Sequence, residues 1–358
     1  MNKNNSFGGL RLLAALMVVL SHSYPIALGS SFPEPPSPML DLGCSLGTVG
    51  VYLFFAISGI LVTKSFIERK SVIHFAVYRV LRIYPAIIVC LIFTTFIIGP
   101  IFSNTPGYLV DLQIYQHFLH NSMLITNVYS SLPGVFANNP LPFAINNSIW
   151  TLVWELRAYS ILAVGGTLLG VTRKWSGSAL ILILVAFSPL FISYDGRQAN
   201  FLFAFFLGGL LFQLRERFIY RKSILALFSI LIVLMYGNPY FEFAFMLWLV
   251  IFVFVIGTIQ TNTFRWLEKY DLSYGLYLYA FPLGQTLVAT FKIINPLLLT
   301  MLTIVVCCAT AAISWVFIER PCLQRKKIIA DFFDNAQIFK FFKKHQVAAC
   351  GLRQKNNF

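Results

Sequence analysis

The stretch Arg11-Leu-Leu-Ala-Ala-Leu-Met-Val-Val-Leu-Ser-His22 decides the fold. It reads as an apolar helix with one cation and one imidazole inside it. Ionisable side chains are expensive within a membrane, so each one there marks a candidate functional site. Eleven residues at about 100° each leave Arg11 and His22 only ~20° apart on one helix face, and ~16 Å apart along the axis. One face thus carries a fixed cation near one end and a titratable base near the other. Two readings stand at this point. The pair can hold a long anionic molecule at Arg11 and perform proton chemistry at His22. Alternatively, Arg11 snorkels to the nearby surface and His22 is a hydrogen-bonded packing residue.

Outward from this helix, the rest of the chain is just as apolar. Of 358 residues, 58% are hydrophobic and only 11% are charged. Soluble domains carry about twice that charged fraction. We therefore expect an all-α, polytopic membrane helix bundle. A span needs about 20 mostly apolar residues. About ten stretches qualify, near 9–28, 44–63, 83–103, 148–170, 178–193, 198–214, 223–237, 240–259, 272–291 and 296–318. A small-residue pattern at Ala27-Leu28-Gly29 resembles a signal-peptide cleavage site, but in a polytopic chain the first helix is more simply an anchor.

The net charge of +14 gives the orientation. With the N-terminus in the cytoplasm, the inward segments hold Lys3, then Lys64, Arg69, Lys70, Arg79 and Arg82, and later Arg173, Lys174, Arg215, Arg217, Arg221, Lys222, Arg265 and Lys269. The outward stretches 24–43 and 104–147 contain no Lys or Arg. This is the positive-inside pattern, with both termini cytoplasmic. It explains the basic charge through anionic headgroups or an anionic cytoplasmic ligand, without nucleic acid. Six cysteines show no zinc-ligand spacing and read as free thiols. No metal is expected; His117 and His120 read as structural residues of a short interfacial helix over Gln113 to Leu124. We divide the chain into a transmembrane domain, 1–322, and a basic amphipathic tail, 323–358, on the inner leaflet.

Further polar residues lie within the spans. Glu155 and Arg157 point to different sides of the fourth span, so each needs a partner elsewhere. By helix rise Glu155 and His22 lie at similar depth, ~10 and ~9 Å, which permits a His22–Glu155 pair. Arg79 and Arg82 share a face at i,i+3 at the inner entrance of the third span. Guanidinium groups suit bidentate phosphate binding, although ordinary positive-inside charge also accounts for them. Ser58-Gly59 in the second span reads as close helix packing.

In this setting the chain resembles the acyltransferase-3 superfamily of integral membrane acyltransferases. The matching elements, in order, are Arg11 with His22, Phe54-Phe55 with Ser58-Gly59, Arg79 with Arg82, Ile83 and Pro85, Ser148 with Trp150, Leu152 and Glu155, Ser273-Tyr274 with Tyr277-Leu278, and Glu319 with Pro321. Many members carry a His after the Tyr-Leu element, where this chain has Ala280. The resemblance implies an acyl-CoA donor, usually acetyl-CoA as a co-substrate, on the cytoplasmic side. It implies an acceptor hydroxyl on a cell-surface or lipid-linked saccharide, such as the O-antigen of lipopolysaccharide, and a place in the bacterial inner membrane. On this reading Arg11, Arg79 and Arg82 hold the CoA phosphates, His22 is the general base, and Glu155 orients His22 or the acceptor. A transporter of a lipid-linked saccharide is the alternative; no repeat halves or paired broken helices support it.

Overall fold

The structure, a computed structural model, describes residues 6–32, 34, 44–68, 71–168, 196–216, 221–259 and 270–335. The described residues are helical, with two isolated antiparallel bridges in the loops, at Ser103–Val135 and Ser131–Ala144. Ten helices are named here: α1 (Phe7–Leu28), α2 (Leu46–Glu68), α3 (Val72–Phe102), α4 (Leu112–Met123), α5 (Trp150–Leu168), α6 (Gly196–Gln213), α7 (Arg221–Leu234), α8 (Phe241–Gly257), α9 (Ser273–Phe291) and α10 (Pro296–Asn335). The expected span at 178–193 lies outside the described residues, as do Arg69, Lys70 and the tail beyond 335.

Four helices, α1, α2, α3 and α10, are long and apolar enough to cross a membrane. The shorter apolar helices Gln198–Gln213, Lys222–Leu234 and Phe241–Gly257 fall within α6, α7 and α8. Helices α5 and α9 have 19 residues each but carry polar side chains in their apolar runs. This is a membrane protein.

α2 sits at the centre, with 78% of its most apolar window buried. Small residues let its neighbours approach. A Cβ at Gly50 would lie 2.6 Å from the Ala14 carbonyl oxygen of α1, and one at Gly59 would lie 1.8 Å from the Phe205 oxygen of α6. Any side chain at Gly59 would therefore force α2 and α6 apart, which bears out the packing role read for this residue. At the start of α2 the Ser45 hydroxyl accepts from the Thr48 amide (3.1 Å), and a Glu34 carboxylate oxygen accepts from the Leu46 amide (2.6 Å). These bonds satisfy amides that a helix start leaves unpaired.

α3 and α10 are longer than their apolar cores suggested. α3 begins at Val72, where Ser71 caps the His74 amide, so Arg79 and Arg82 lie within the helix and not at its entrance. α10 continues without a break through the expected domain boundary near 322 and docks on the start of α3. His74 Nε2 lies 3.2 Å from Asp331, the Ser71 hydroxyl donates to Asp334 (2.9 Å), and Lys326 sits over the Tyr78 ring at 5.0 Å. Polar residues on these flanks dilute the hydrophobic signal that marks a span. Each long helix also contains a π-helical segment, Phe93–Ile98 in α3 and Trp315–Glu319 in α10.

The loop between α4 and α5 is anchored by α9. The Gln285 side chain donates to the Leu141 and Ala144 carbonyls (2.8 and 2.9 Å), and Asn146 donates to the Leu278 carbonyl (2.9 Å). Within α4, Asn121 joins His117 to Tyr129. Burial lowers the His117 imidazole to about 4, so it stays neutral in ordinary buffers.

Candidate active site

Two cavities of similar size meet inside the bundle. The first, of about 330 Å³, has Arg11, Arg79, Arg82 and Lys326 among its lining cations, and Asp271 and Glu155 as its carboxylates. Its formal balance is positive, which suits an anionic ligand. The second, of about 320 Å³, is lined by His22, Ser21, Glu34, Asn147, Trp150 and Phe201 among others. Val51, Thr151 and Tyr277 line both.

The charges of the first cavity are held by four helices, α1, α3, α5 and α10, and the turn before α9. Arg11 (α1) and Arg82 (α3) both reach Asp271 Oδ2, at 3.2 and 2.5 Å. Arg82 also lies 3.5 Å from Glu319 and 5.4 Å from the centre of the Tyr274 ring. The Ser273 hydroxyl donates to the other Asp271 oxygen at 2.5 Å. Burial alone would raise the Asp271 carboxyl. Arg82, Arg11 and the Ser273 hydroxyl outweigh it and hold the group at about 2. The π-helical segment of α10 ends at Glu319, which is 2% exposed and accepts from Ser314 (3.2 Å). A π-turn adds a residue to the helix and so re-aims the side chains beyond it.

Arg79 differs from its neighbours. Its guanidinium lies over the rings of Phe75 (5.9 Å) and Tyr159 (5.7 Å), and its buried Nε has no hydrogen-bond partner. A buried unpaired donor is costly, so this group is set to donate a hydrogen bond to a ligand.

Glu155 accepts a hydrogen bond from Ser58 (2.9 Å) and a very short one from Tyr159. The structure therefore gathers Arg11, Arg79, Arg82 and Glu155 around one cavity and places His22 in the other. It does not bring Glu155 and His22 together. Ser58, read from sequence as a packing residue only, is a partner of Glu155. Arg157 lines neither cavity; it covers the Trp154 ring at 4.4 Å and donates to the Ile125 carbonyl at 3.4 Å.

His22 packs edge-on against Phe281 of α9, with ring centres 5.2 Å apart, and its buried Nδ1 has no hydrogen-bond partner. Tyr277 closes the wall between the cavities. Its hydroxyl donates to the Ser148 carbonyl (2.6 Å) and is within very short hydrogen-bond reach of the Thr151 hydroxyl. Among the described residues, no group of three or more His, Cys, Asp or Glu side chains could hold a metal ion.

The sequence reading missed Asp271. The available signal was a need: two arginines in one apolar site require a counter-carboxylate, and the chain has only 13 acidic residues to supply it.

The acyltransferase-3 family profile, described as an acyltransferase domain, matches residues 4–319. The chain belongs to the acyltransferase-3 family. It is 29% identical over 344 residues to an "O-acetyl transferase" of Shigella phage Sf6, covering 91% of this chain and 98% of that protein. It is 27% identical over 372 residues to "Nodulation protein 10" of Rhizobium leguminosarum bv. viciae, covering 91% and 95%. No solved structure matches it significantly. The protein is thus an acyltransferase enzyme, and an O-acetyltransferase relative covers nearly all of it.

Proposed function

We propose that the protein transfers an acetyl group from acetyl-CoA to a hydroxyl of a cell-surface or lipid-linked saccharide at the bacterial inner membrane. The observation that carries this reading is the pair of cavities on α1. A basic one contains Arg11, and an adjoining one contains His22, whose Nδ1 has no partner. The Lys/Arg bias of the sequence favours an orientation with the Arg11 end and both termini at the cytoplasm, across about ten spans.

In this reading the CoA phosphates bind in the basic cavity. Arg79 supplies an unpaired donor. Arg11 and Arg82 retain guanidinium N–H groups beyond those used by the carboxylates, since each has five. The pantetheine arm then runs along α1, whose two polar residues are ~16 Å apart. In the other cavity the acceptor hydroxyl gives its proton to His22 as its oxygen attacks the thioester carbonyl. The C–S bond breaks, the acetyl group stays on the acceptor oxygen, and the proton held by His22 returns to the departing CoA sulfur. Glu155 acts on the donor side, fixed by Ser58 and Tyr159.

The test uses labelled acetyl-CoA with membranes containing the full-length protein. His22→Ala is expected to bind CoA as the wild type does and to transfer about 10²–10⁴-fold more slowly, the range of a lost general base. Wild-type-level transfer by His22→Ala would remove the base from this mechanism. A wild type that neither binds nor consumes acetyl-CoA would remove the donor.

A further inference from the structure

Among the described residues the two cavities share only Val51 of α2, Thr151 of α5 and Tyr277 of α9. Each is less than 9% exposed. The junction is therefore a three-helix wall one side chain thick. We infer that these three residues form the slot through which the acyl group enters the His22 cavity, and that their bulk sets the acyl-chain length the enzyme transfers. The inference rests on the reading above, in which the donor binds in the basic cavity and reacts beside His22.

The geometry gives the slot a closed state and an inexpensive way to open. In the closed state the Thr151 and Tyr277 hydroxyls are hydrogen-bonded to each other. Tyr277 is fixed on both sides, by its bond to the Ser148 carbonyl and by an edge-on contact with Phe54 at 5.5 Å. Thr151 is less constrained. Its hydroxyl also has the Ser148 carbonyl at 3.3 Å, one turn back on its own chain. If Thr151 turns from Tyr277 it keeps an acceptor, so opening leaves no buried hydroxyl unpaired. Thr151 and Glu155 share a helix face one turn apart. The thioester carbon must reach a hydroxyl in the His22 cavity while the phosphates stay in the basic one. The first carbons of the acyl chain then lie against Val51 and Thr151. An apolar contact of this kind discriminates one methylene by about 10–200-fold.

The experiment offers acetyl-CoA and butyryl-CoA to full-length protein in bacterial membranes, with lipopolysaccharide as acceptor, and measures CoA binding alongside. Val51→Ala and Thr151→Ala are each expected to raise the butyryl-to-acetyl ratio of kcat/KM at least about tenfold. Val51→Phe is expected to cut acetyl transfer while retaining CoA binding. Val18→Ala, on the wall of the His22 cavity alone, keeps the wild-type ratio. Active Ala variants with an unchanged ratio overturn the slot and leave the proposed function standing, and so does a Val18→Ala ratio that shifts equally. A wild type that transfers neither acyl group overturns the underlying reading, and the slot with it.

Discussion

The two ends of α1 deal with polarity in opposite ways. Around Arg11 the charges are matched. Asp271 accepts from two arginines and a serine, and Glu319 faces Arg82 from the other side. Around His22 there is an aromatic edge and an unpaired nitrogen. Burying a charge without a partner is costly, so the basic end must be assembled before any ligand arrives. A neutral imidazole tolerates an apolar setting better, and its missing partner can come from substrate. In the proposed function the basic end therefore supports both the fold and the ligand, while the His22 end serves chemistry alone. Mutations should separate the two.

The largest expected effect is on folding, from Asp271→Ala. It leaves Arg11 and Arg82, 26% and 21% exposed, without the carboxylate they share. Removing one partner of a buried ion pair costs about 3–5 kcal/mol. We expect a clear drop in thermal stability of the solubilised protein and weakened CoA binding, against a His22→Ala variant of wild-type stability. The pH sign follows from the lowered carboxyl. Its contribution is fully present above the ordinary value of 3.8 and is lost as pH falls toward about 2. The stability difference between wild type and Asp271→Asn should therefore stay constant near neutral pH and shrink only in acid. Equal stability of wild type and Asp271→Ala would show that the basic end is not structural.

Arg79→Gln probes the same cavity without a carboxylate partner to orphan. A charge-assisted hydrogen bond contributes about 1.5–3 kcal/mol. The expected result is a rise of about tenfold or more in the KM for acetyl-CoA, with kcat changed less than about threefold. A loss confined to kcat would move Arg79 from holding the donor to acting in the reaction.

Much of this contrast was legible in the sequence. The spacing of Arg11 and His22 placed both on one face of α1, and the small residues of α2 marked its close contacts. The proposed His22–Glu155 pair rested on equal depth, and depth does not fix lateral position. Thr151, one turn before Glu155, reaches the His22 cavity, while Glu155 itself meets Ser58 and Tyr159. Asp271 was missed because its partners lie 260 and 189 residues away, and no local pattern encodes that pairing. The π-helical segments were missed as well. Apolar residues in an unbroken helix give no period from which one extra residue can be read, yet such a segment ends at the Glu319 that faces Arg82.

The smallest expected effect comes from Arg157, and it sharpens the contrast by standing outside both ends. By sequence it is a charge in the same apolar helix as Glu155, though the weaker site candidate of the two. Its surroundings differ. The guanidinium covers Trp154 and reaches one backbone carbonyl. A cation–π contact at a partly exposed site contributes about 0.5–1 kcal/mol. Arg157→Ala should therefore lower thermal stability slightly and leave transfer within about threefold of wild type, measured with labelled acetyl-CoA. A loss as large as that of Arg79→Gln would mean that the site extends past the two cavities to the loop at Ile125. An unchanged rate would confine the chemistry to the helix faces that line the two cavities.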